Sequence, residues 1–256
     1  MRFPAASGIL TLLTDFGLSD HYVGVMKGVA LSIFPEAKLV DLSHGVEAYS
    51  VEQGAFFLEQ AWLRFPPGTV FCAVVDPGVG TARRAVAALC EERYVIAPDN
   101  GLVSRAFEGR EAQVRKLDAE RFGLTPMSAT FHGRDLFAPA AAWLASGRSF
   151  ADFGEPIEDW VRLWPARPAP HETRVVNIDH FGNVVTGFRE EDLPEGASVR
   201  IGGRRVTARA RTYGDAPEEE PFLLVGSSGY WEISIRQSSA AEELGLVIGD
   251  SVHVSL

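Results

Sequence analysis

An apolar run over residues 69–75 stops abruptly at an acid, in the stretch Val74-Val75-Asp76-Pro77-Gly78-Val79-Gly80-Thr81-Ala82-Arg83-Arg84. A short continuous apolar run bounded by Pro and Gly reads as a buried strand. The strand delivers Asp76 to the end of a sheet, and the tight loop after it returns Arg83 beside the acid. α/β folds place their chemistry at such strand ends. The competing reading of this segment alone is a plain Asp-Pro-Gly turn followed by two solvated arginines, and only the rest of the chain separates the two.

The first 160 or so residues alternate strand and helix patterns. Strands are predicted over 9–13, 38–41 and 69–75, with a hairpin formed by 85–90 and 94–97 across Glu91-Glu92-Arg93. Helices are predicted over 22–34, over 102–107 and over 136–145. A further helix runs from Ser50 to about Trp62, opened by the capping box Ser50-Val51-Glu52-Gln53. This alternation implies an α/β domain with a mostly parallel sheet and helices on both faces. The segment Trp164-Pro165-Ala166-Arg167-Pro168-Ala169-Pro170-His171 then reads as an extended linker. Beyond it the runs are short and β-rich, at 174–178, 183–187, 198–201, 204–208, 222–225, 231–235 and 251–256, as expected for a small all-β barrel or sandwich. The predicted organisation is therefore an N-terminal α/β domain over 1–163, a Pro-rich linker over 164–172 and a C-terminal β-barrel domain over 173–256.

Composition narrows the function. A net charge of −10 argues against a nucleic-acid partner, which demands a basic face. Cys72 and Cys90 both lie in apolar runs and read as buried, reduced thiols of a cytoplasmic protein. The short apolar stretch over 9–13 reads as the first strand rather than a signal peptide, and no apolar run reaches membrane-spanning length.

Polar clusters mark the predicted strand ends. In Thr14-Asp15-Phe16-Gly17-Leu18-Ser19-Asp20-His21-Tyr22, Asp15 ends a buried strand, where one carboxylate can accept bonds from both hydroxyls of a ribose. Asp20 is either a ligand group or a first-turn acid favoured by the helix dipole. His44 reads as a structural loop histidine, and Tyr49 either stacks on a ring or packs as a staple on the helix that Ser50 caps. In Ala97-Pro98-Asp99-Asn100-Gly101, Asp99 or Asn100 reads as a helix cap. Thr130-Phe131-His132-Gly133-Arg134-Asp135 exposes an imidazole ahead of a helix. In the second domain, Asn177-Ile178-Asp179-His180-Phe181-Gly182-Asn183 and Gly226-Ser227-Ser228-Gly229-Tyr230 are polar turns between strands. No metal site is expected: the acids and histidines lack an H-x-x-x-H or H-x-D pair, and Arg83 repels a cation.

Taken in series, these motifs resemble the S-adenosylmethionine hydroxide adenosyltransferases, hydrolases related to the fluorinase and chlorinase enzymes. The resemblance spans nearly the whole chain in the correct order. It implies a homotrimer that binds S-adenosylmethionine between the N-terminal domain of one subunit and the C-terminal domain of its neighbour. It implies a catalytic set of Asp76, Arg83 and His132, a ribose carboxylate at Asp15 and a stacking aromatic at Tyr49. It implies contacts to the methionine portion from Asp20, Asp179 and Ser227, and an adenine contact from Asn183. No cofactor is implied, since S-adenosylmethionine is the substrate. One departure from the family pattern is Gly226, where an Asn is expected.

The implied reaction is attack of water on the 5′ carbon of S-adenosylmethionine, releasing adenosine and L-methionine. The leaving thioether is neutral and needs no acid, so the nucleophile is the difficulty. Water has a pKa of about 15.7 and histidine about 6.5, so full prior deprotonation by His132 costs about 12 kcal/mol. Either the proton leaves during or after C–O bond formation, or Arg83 stabilises hydroxide. Two alternatives stand beside this reading. One is a halide-using adenosyltransferase, for which Gly133 leaves room for an anion; the other is a non-catalytic sensor of adenosine or S-adenosylmethionine.

Overall fold

The computed structural model describes residues 3–163 and 171–255. The chain divides into two compact units, Met1–Leu163 and Trp164–Leu256. Most of the predicted Pro-rich linker lies outside the described residues.

In the first unit the elements run β1 (Ile9–Thr14), α1 (Tyr22–Ile33), β2 (Lys38–Ser43), α2 (Val51–Trp62), β3 (Val70–Val74), β4 (Ala85–Cys90), β5 (Arg93–Pro98), β6 (Ala112–Lys116), α3 (Ala119–Phe122), α4 (Ala138–Ala145) and β7 (Pro156–Ile157). They build one seven-stranded sheet in the order β2-β1-β3-β5-β4-β6-β7. The strands β2, β1, β3 and β5 run parallel, and β4, β6 and β7 extend the sheet through antiparallel pairings, so the sheet is mixed.

Both faces are covered, which explains why β3 is apolar without alternation. Val70, Cys72 and Val74 join the core formed with Met26 and Ala30 of α1 and the alanines of α4. Phe71 turns to the other face and stacks on Trp62 of α2 at 4.9 Å between centroids. Cys72 and Cys90 are free and buried, and burial pushes the Cys72 thiol up to about 12.

The hairpin predicted from the two apolar runs forms, with Ala85 opposite Pro98 and Cys90 opposite Arg93. Several local expectations fail for identifiable reasons. The predicted helix over 102–107 is a series of turns. Asn100 Oδ1 takes the Leu102 N–H, while Arg110 Nη1 takes the Ala106 carbonyl oxygen. The capping box at α2 is half formed. Ser50 Oγ accepts from Gln53 N at 3.4 Å, but Gln53 Oε1 accepts from Glu47 N at 2.6 Å. The predicted helix over 136–145 begins earlier, with a π turn over Gly133–Phe137, in which Ala138 N–H reaches Gly133 O, that runs into α4.

The second unit contains β8 (Glu172–Ile178), β9 (Val184–Arg189), β10 (Ser198–Ile201), β11 (Arg204–Val206), β12 (Phe222–Val225), β13 (Tyr230–Ser234), α5 (Ala240–Leu244) and β14 (Ser251–Ser255). Its sheet is antiparallel throughout, in the order β11-β10-β14-β8-β9-β13-β12. The segment after β11 bonds to β12, through Leu223 N to Ala208 O at 2.8 Å and Ala210 N to Leu223 O at 3.0 Å. This contact links the two ends of the order and nearly closes the barrel, whose core holds Val175, Phe188, Val199, Leu223 and Ile233.

Candidate active site

The four parallel strands of the first unit deliver polar residues to the same edge: Asp15 follows β1, His44 follows β2, Asp76 follows Val75 and β3, and Asp99 closes β5. Two of these are structural. Asp99 accepts from Arg84 Nε and Val161 N, and Arg84 also holds Asp159. Asn100 Nδ2 donates to Val75 O at 2.8 Å and braces the end of β3. His44 is buried, as expected of a structural histidine, and bonds Thr14 Oγ1 through Nδ1 at 2.8 Å.

The centre is Arg83. Its Nε donates to Asp76 Oδ1 at 2.8 Å and Oδ2 at 3.0 Å, and its Nη2 donates to Asp76 Oδ2 and, at 2.8 Å, to His132 Nδ1. The guanidinium also lies over the Phe137 ring, 5.1 Å from its centroid. A guanidinium cannot accept a hydrogen bond, so His132 Nδ1 must supply a lone pair and the ring proton sits on Nε2. Burial and then the Arg83 charge hold the imidazole below its usual range, so the neutral ring is the resting form. Both Asp76 oxygens are engaged by Arg83, and the carboxylate is 5 % exposed. The acid therefore holds the arginine, and the arginine holds the histidine.

The loop from Asp76 to Arg83 is shaped by its glycines. Gly80 has φ +78, and a Cβ there would fall 2.7 Å from the Ala129 carbonyl oxygen, on the segment leading to His132. Gly80→Ala is accordingly expected to lose about 1–3 kcal/mol through backbone strain and the clash, and to lower turnover by moving Arg83 against His132. Thermal melting and steady-state kinetics check both effects.

Asp15 Oδ2 accepts the Tyr49 N–H at 2.9 Å. Burial raises the Asp15 carboxyl above its ordinary value, and the Asp76 charge adds to the rise. Tyr49 adopts φ 69, a strained conformation for a tyrosine, and its ring is 72 % exposed. Exposure excludes the staple and leaves the ring available to a ligand. Asp20 is exposed in the loop before α1 and is not an acid of its first turn. Gly133 offers no space for an anion on its Cβ side: a methyl there would meet Phe16, Met26 and Phe131 side chains at 3.1–3.2 Å.

In the second unit a cavity of about 1150 Å³ is lined by Asp179, Asn183, Tyr213, Gly226, Ser227 and Glu232. Asp179 organises its turn, accepting from Phe181 N and Asn183 N through Oδ1 and from Asn183 Nδ2 through Oδ2, each at 2.9 Å. Tyr213 joins the group, its OH donating to Glu232 Oε2 at 3.0 Å and lying 3.4 Å from Asn183 Nδ2. Ser227 is exposed. Sequence reasoning missed Tyr213 and Glu232. The available signal was an acid in the Tyr230-Trp231-Glu232-Ile233 run, where every residue is buried. Burial raises the Glu232 carboxyl, the Asp179 charge adds to the rise, and the Tyr213 bond opposes it. The Gly226 departure has a steric reason, because a side chain there would collide with the Glu232 carboxylate.

Among the described residues, no group of three or more His, Cys, Asp or Glu could hold a metal ion, and no helix is long and apolar enough to cross a membrane.

Comparison with known proteins places this geometry in context. Sequence profiles of the SAM hydroxide adenosyltransferase N-terminal and C-terminal domains match residues 10–154 and 173–253. The chain is 43% identical to an (R)-S-adenosyl-L-methionine hydrolase of Thermus thermophilus, over 94% of this chain and 97% of the relative. It is 39% identical to a protein of the same name from Salinispora arenicola, over 98% and 99%. Fluorinases are more distant, at 27% identity for one from an Actinoplanes species. Among solved structures, a conserved protein from Thermotoga maritima superposes with a TM-score of 0.86 at 32% identity, covering 96% of this chain and all of that one.

Proposed function

The chain belongs to the SAM hydroxide adenosyltransferase family, and we propose that it hydrolyses S-adenosyl-L-methionine to adenosine and L-methionine by attack of water or hydroxide at the 5′ carbon. S-adenosylmethionine is the substrate and the reaction takes no cofactor. The observation that carries the reading is the chain of bonds from Asp76 through Arg83 to His132.

That chain favours one answer to the problem of the nucleophile. With Nδ1 accepting from Arg83, His132 presents Nε2–H, a donor. Arg83 and His132 are then donors to the oxygen nucleophile and stabilise hydroxide character as it develops, the proton of an attacking water passing to solvent as the C–O bond forms, while Asp76 keeps the guanidinium in place. A proton passes to His132 only if Nδ1 releases Arg83. Attack by an anionic oxygen on a sulfonium cancels charge, so a site that excludes water accelerates the step. In this reading Asp15 accepts the ribose hydroxyls and Tyr49 stacks on the adenine or its sugar. Asp20, Asp179 and Ser227 contact the methionine portion, and Asn183 contacts adenine.

The reading includes a homotrimer in the cytoplasm, with each site completed by a neighbouring subunit. Its support is that the proposed substrate residues are divided between the two units, with neither holding a full set. Equilibrium sedimentation should give a trimer; a fully active monomer contradicts this part.

Two experiments test the chemistry. Chromatography after incubation with S-adenosylmethionine should give adenosine and methionine, unchanged by EDTA or by chloride. A chlorinated nucleoside in chloride would instead support the halide-using alternative, which the filled space beside Gly133 disfavours. The pH profile tests the histidine. Activity should fall as pH drops through a value below the usual imidazole range, because protonation of Nδ1 removes the acceptor for Arg83. The acid limb should vanish in His132→Asn, whose amide oxygen cannot be protonated in that range.

A further inference from the structure

Resting on the reading of Asp15 and Tyr49 as substrate contacts, we propose that His44 is a positioning residue that fixes the loop carrying Asp15 against the loop carrying Tyr49. The side chain of His44 is fully inside the protein, at 2 % exposure, and touches none of the Asp76, Arg83 and His132 groups through any described hydrogen bond. Its Nε2 lies 3.0 Å from Asp41 Oδ1, an electrostatic contact rather than an aligned hydrogen bond. Asp41 Oδ2 in turn takes Lys27 Nζ at 2.6 Å. A carboxylate facing Nε2 favours the tautomer with its proton there, which leaves the Nδ1 lone pair for the Thr14 hydroxyl. Thr14 is fully buried, so its hydrogen has nowhere better to point.

The direction of every bond then follows. Thr14 O–H donates to His44 Nδ1, and Thr14 Oγ1 is left to accept the Phe16 N–H at 3.2 Å. The backbone of His44 acts on the same loop, its carbonyl oxygen accepting Gly17 N–H at 2.8 Å. The Gly17 amide is thereby tied to His44 directly, and the Phe16 amide through Thr14. Asp15 closes the circuit by accepting Tyr49 N–H from the far end of the His44 loop. The two strand-end loops are joined at three points, and the strained backbone at Tyr49 is held through its N–H by Asp15. A residue with this task preorganises the nucleoside contacts and leaves the reacting atoms alone.

The test separates positioning from mere filling of the core. Thr14→Val keeps the volume and removes both hydroxyl bonds; Thr14→Ser restores them. His44→Leu removes the acceptor; His44→Asn keeps one near the Nδ1 position. Calorimetry with adenosine and steady-state kinetics are run on each, well below its melting temperature. Thr14→Val and His44→Leu should weaken adenosine binding and raise KM by about tenfold, the scale of one or two buried hydrogen bonds, with kcat within about threefold of wild type. Thr14→Ser and His44→Asn should recover most of the loss. If Thr14→Val does not fold, the histidine pair carries the same comparison. Wild-type binding and KM in folded Thr14→Val or His44→Leu overturns the proposal, even where melting is lowered. If the wild-type protein binds no adenosine, the parent reading of Asp15 and Tyr49 fails and this proposal with it.

Discussion

Arg83→Lys should reduce turnover at saturating S-adenosylmethionine by about a thousandfold, the upper end of what one preorganised donor contributes, while adenosine binding changes little. The substitution preserves charge, so the prediction isolates geometry. Arg83 spends Nε and Nη2 on the two oxygens of Asp76 and also reaches His132 from Nη2. A lysine ammonium carries three donors on one atom and cannot span both partners at these positions. Asp76 then keeps a buried charge without its partner, and His132 loses the bond that fixes its tautomer. Combining Arg83→Lys with Asp76→Asn or His132→Asn should add little further loss, because the proposed mechanism positions one oxygen with all three groups. Near-wild-type single-turnover rates in Arg83→Lys would remove the arginine from the centre of the mechanism.

Asp15→Ala should act in the opposite way, raising KM by about a hundredfold with much less change in kcat. A carboxylate that accepts two ribose hydroxyls contributes in the ground state and the transition state alike, and hydrogen bonds to a charged group are each worth about 1.5–3 kcal/mol. The substitution also frees the Tyr49 N–H, so the loop carrying Tyr49 loses its anchor together with the proposed ribose contact. Asp15→Asn separates the two effects, since an amide oxygen can still hold Tyr49. An unchanged KM in Asp15→Ala removes this residue from the binding site.

Much of the first unit was legible because its signals are local. The apolar run over 69–75 becomes β3, buried on both faces, and the Asp-Pro-Gly loop returns Arg83 onto Asp76 as the spacing suggested. Signals that depend on tertiary partners were not legible. β6 and β7 carry mixed burial and little periodicity; β6 forms because β4 offers an edge to pair with, and β7 because β6 then offers the next. The turns after Gly101 close largely through three-residue backbone bonds, Ser104 N to Gly101 O, Glu108 N to Arg105 O and Arg110 N to Phe107 O, rather than a helical ladder, which the apolar pattern over 102–107 does not reveal. At the site, His132 and Arg83 could be named from sequence, but not that Nδ1 faces the guanidinium, which depends on the tertiary contact between two loops. Glu232 stayed hidden because one acid among buried strand residues gives no sign of facing Tyr213 and the Gly226 backbone until the barrel closes.

Hydrolysis in water labelled with heavy oxygen reports which bond of S-adenosylmethionine breaks and where the solvent oxygen goes. If water or hydroxide attacks the 5′ carbon, mass spectrometry should find the label in the 5′ hydroxyl of adenosine and none in methionine. Labelled product should form in wild-type protein and be lost in proportion to turnover in Arg83→Lys. Adenosine without the label, or a product in which the C–S bond to the 5′ carbon survives, would contradict the account.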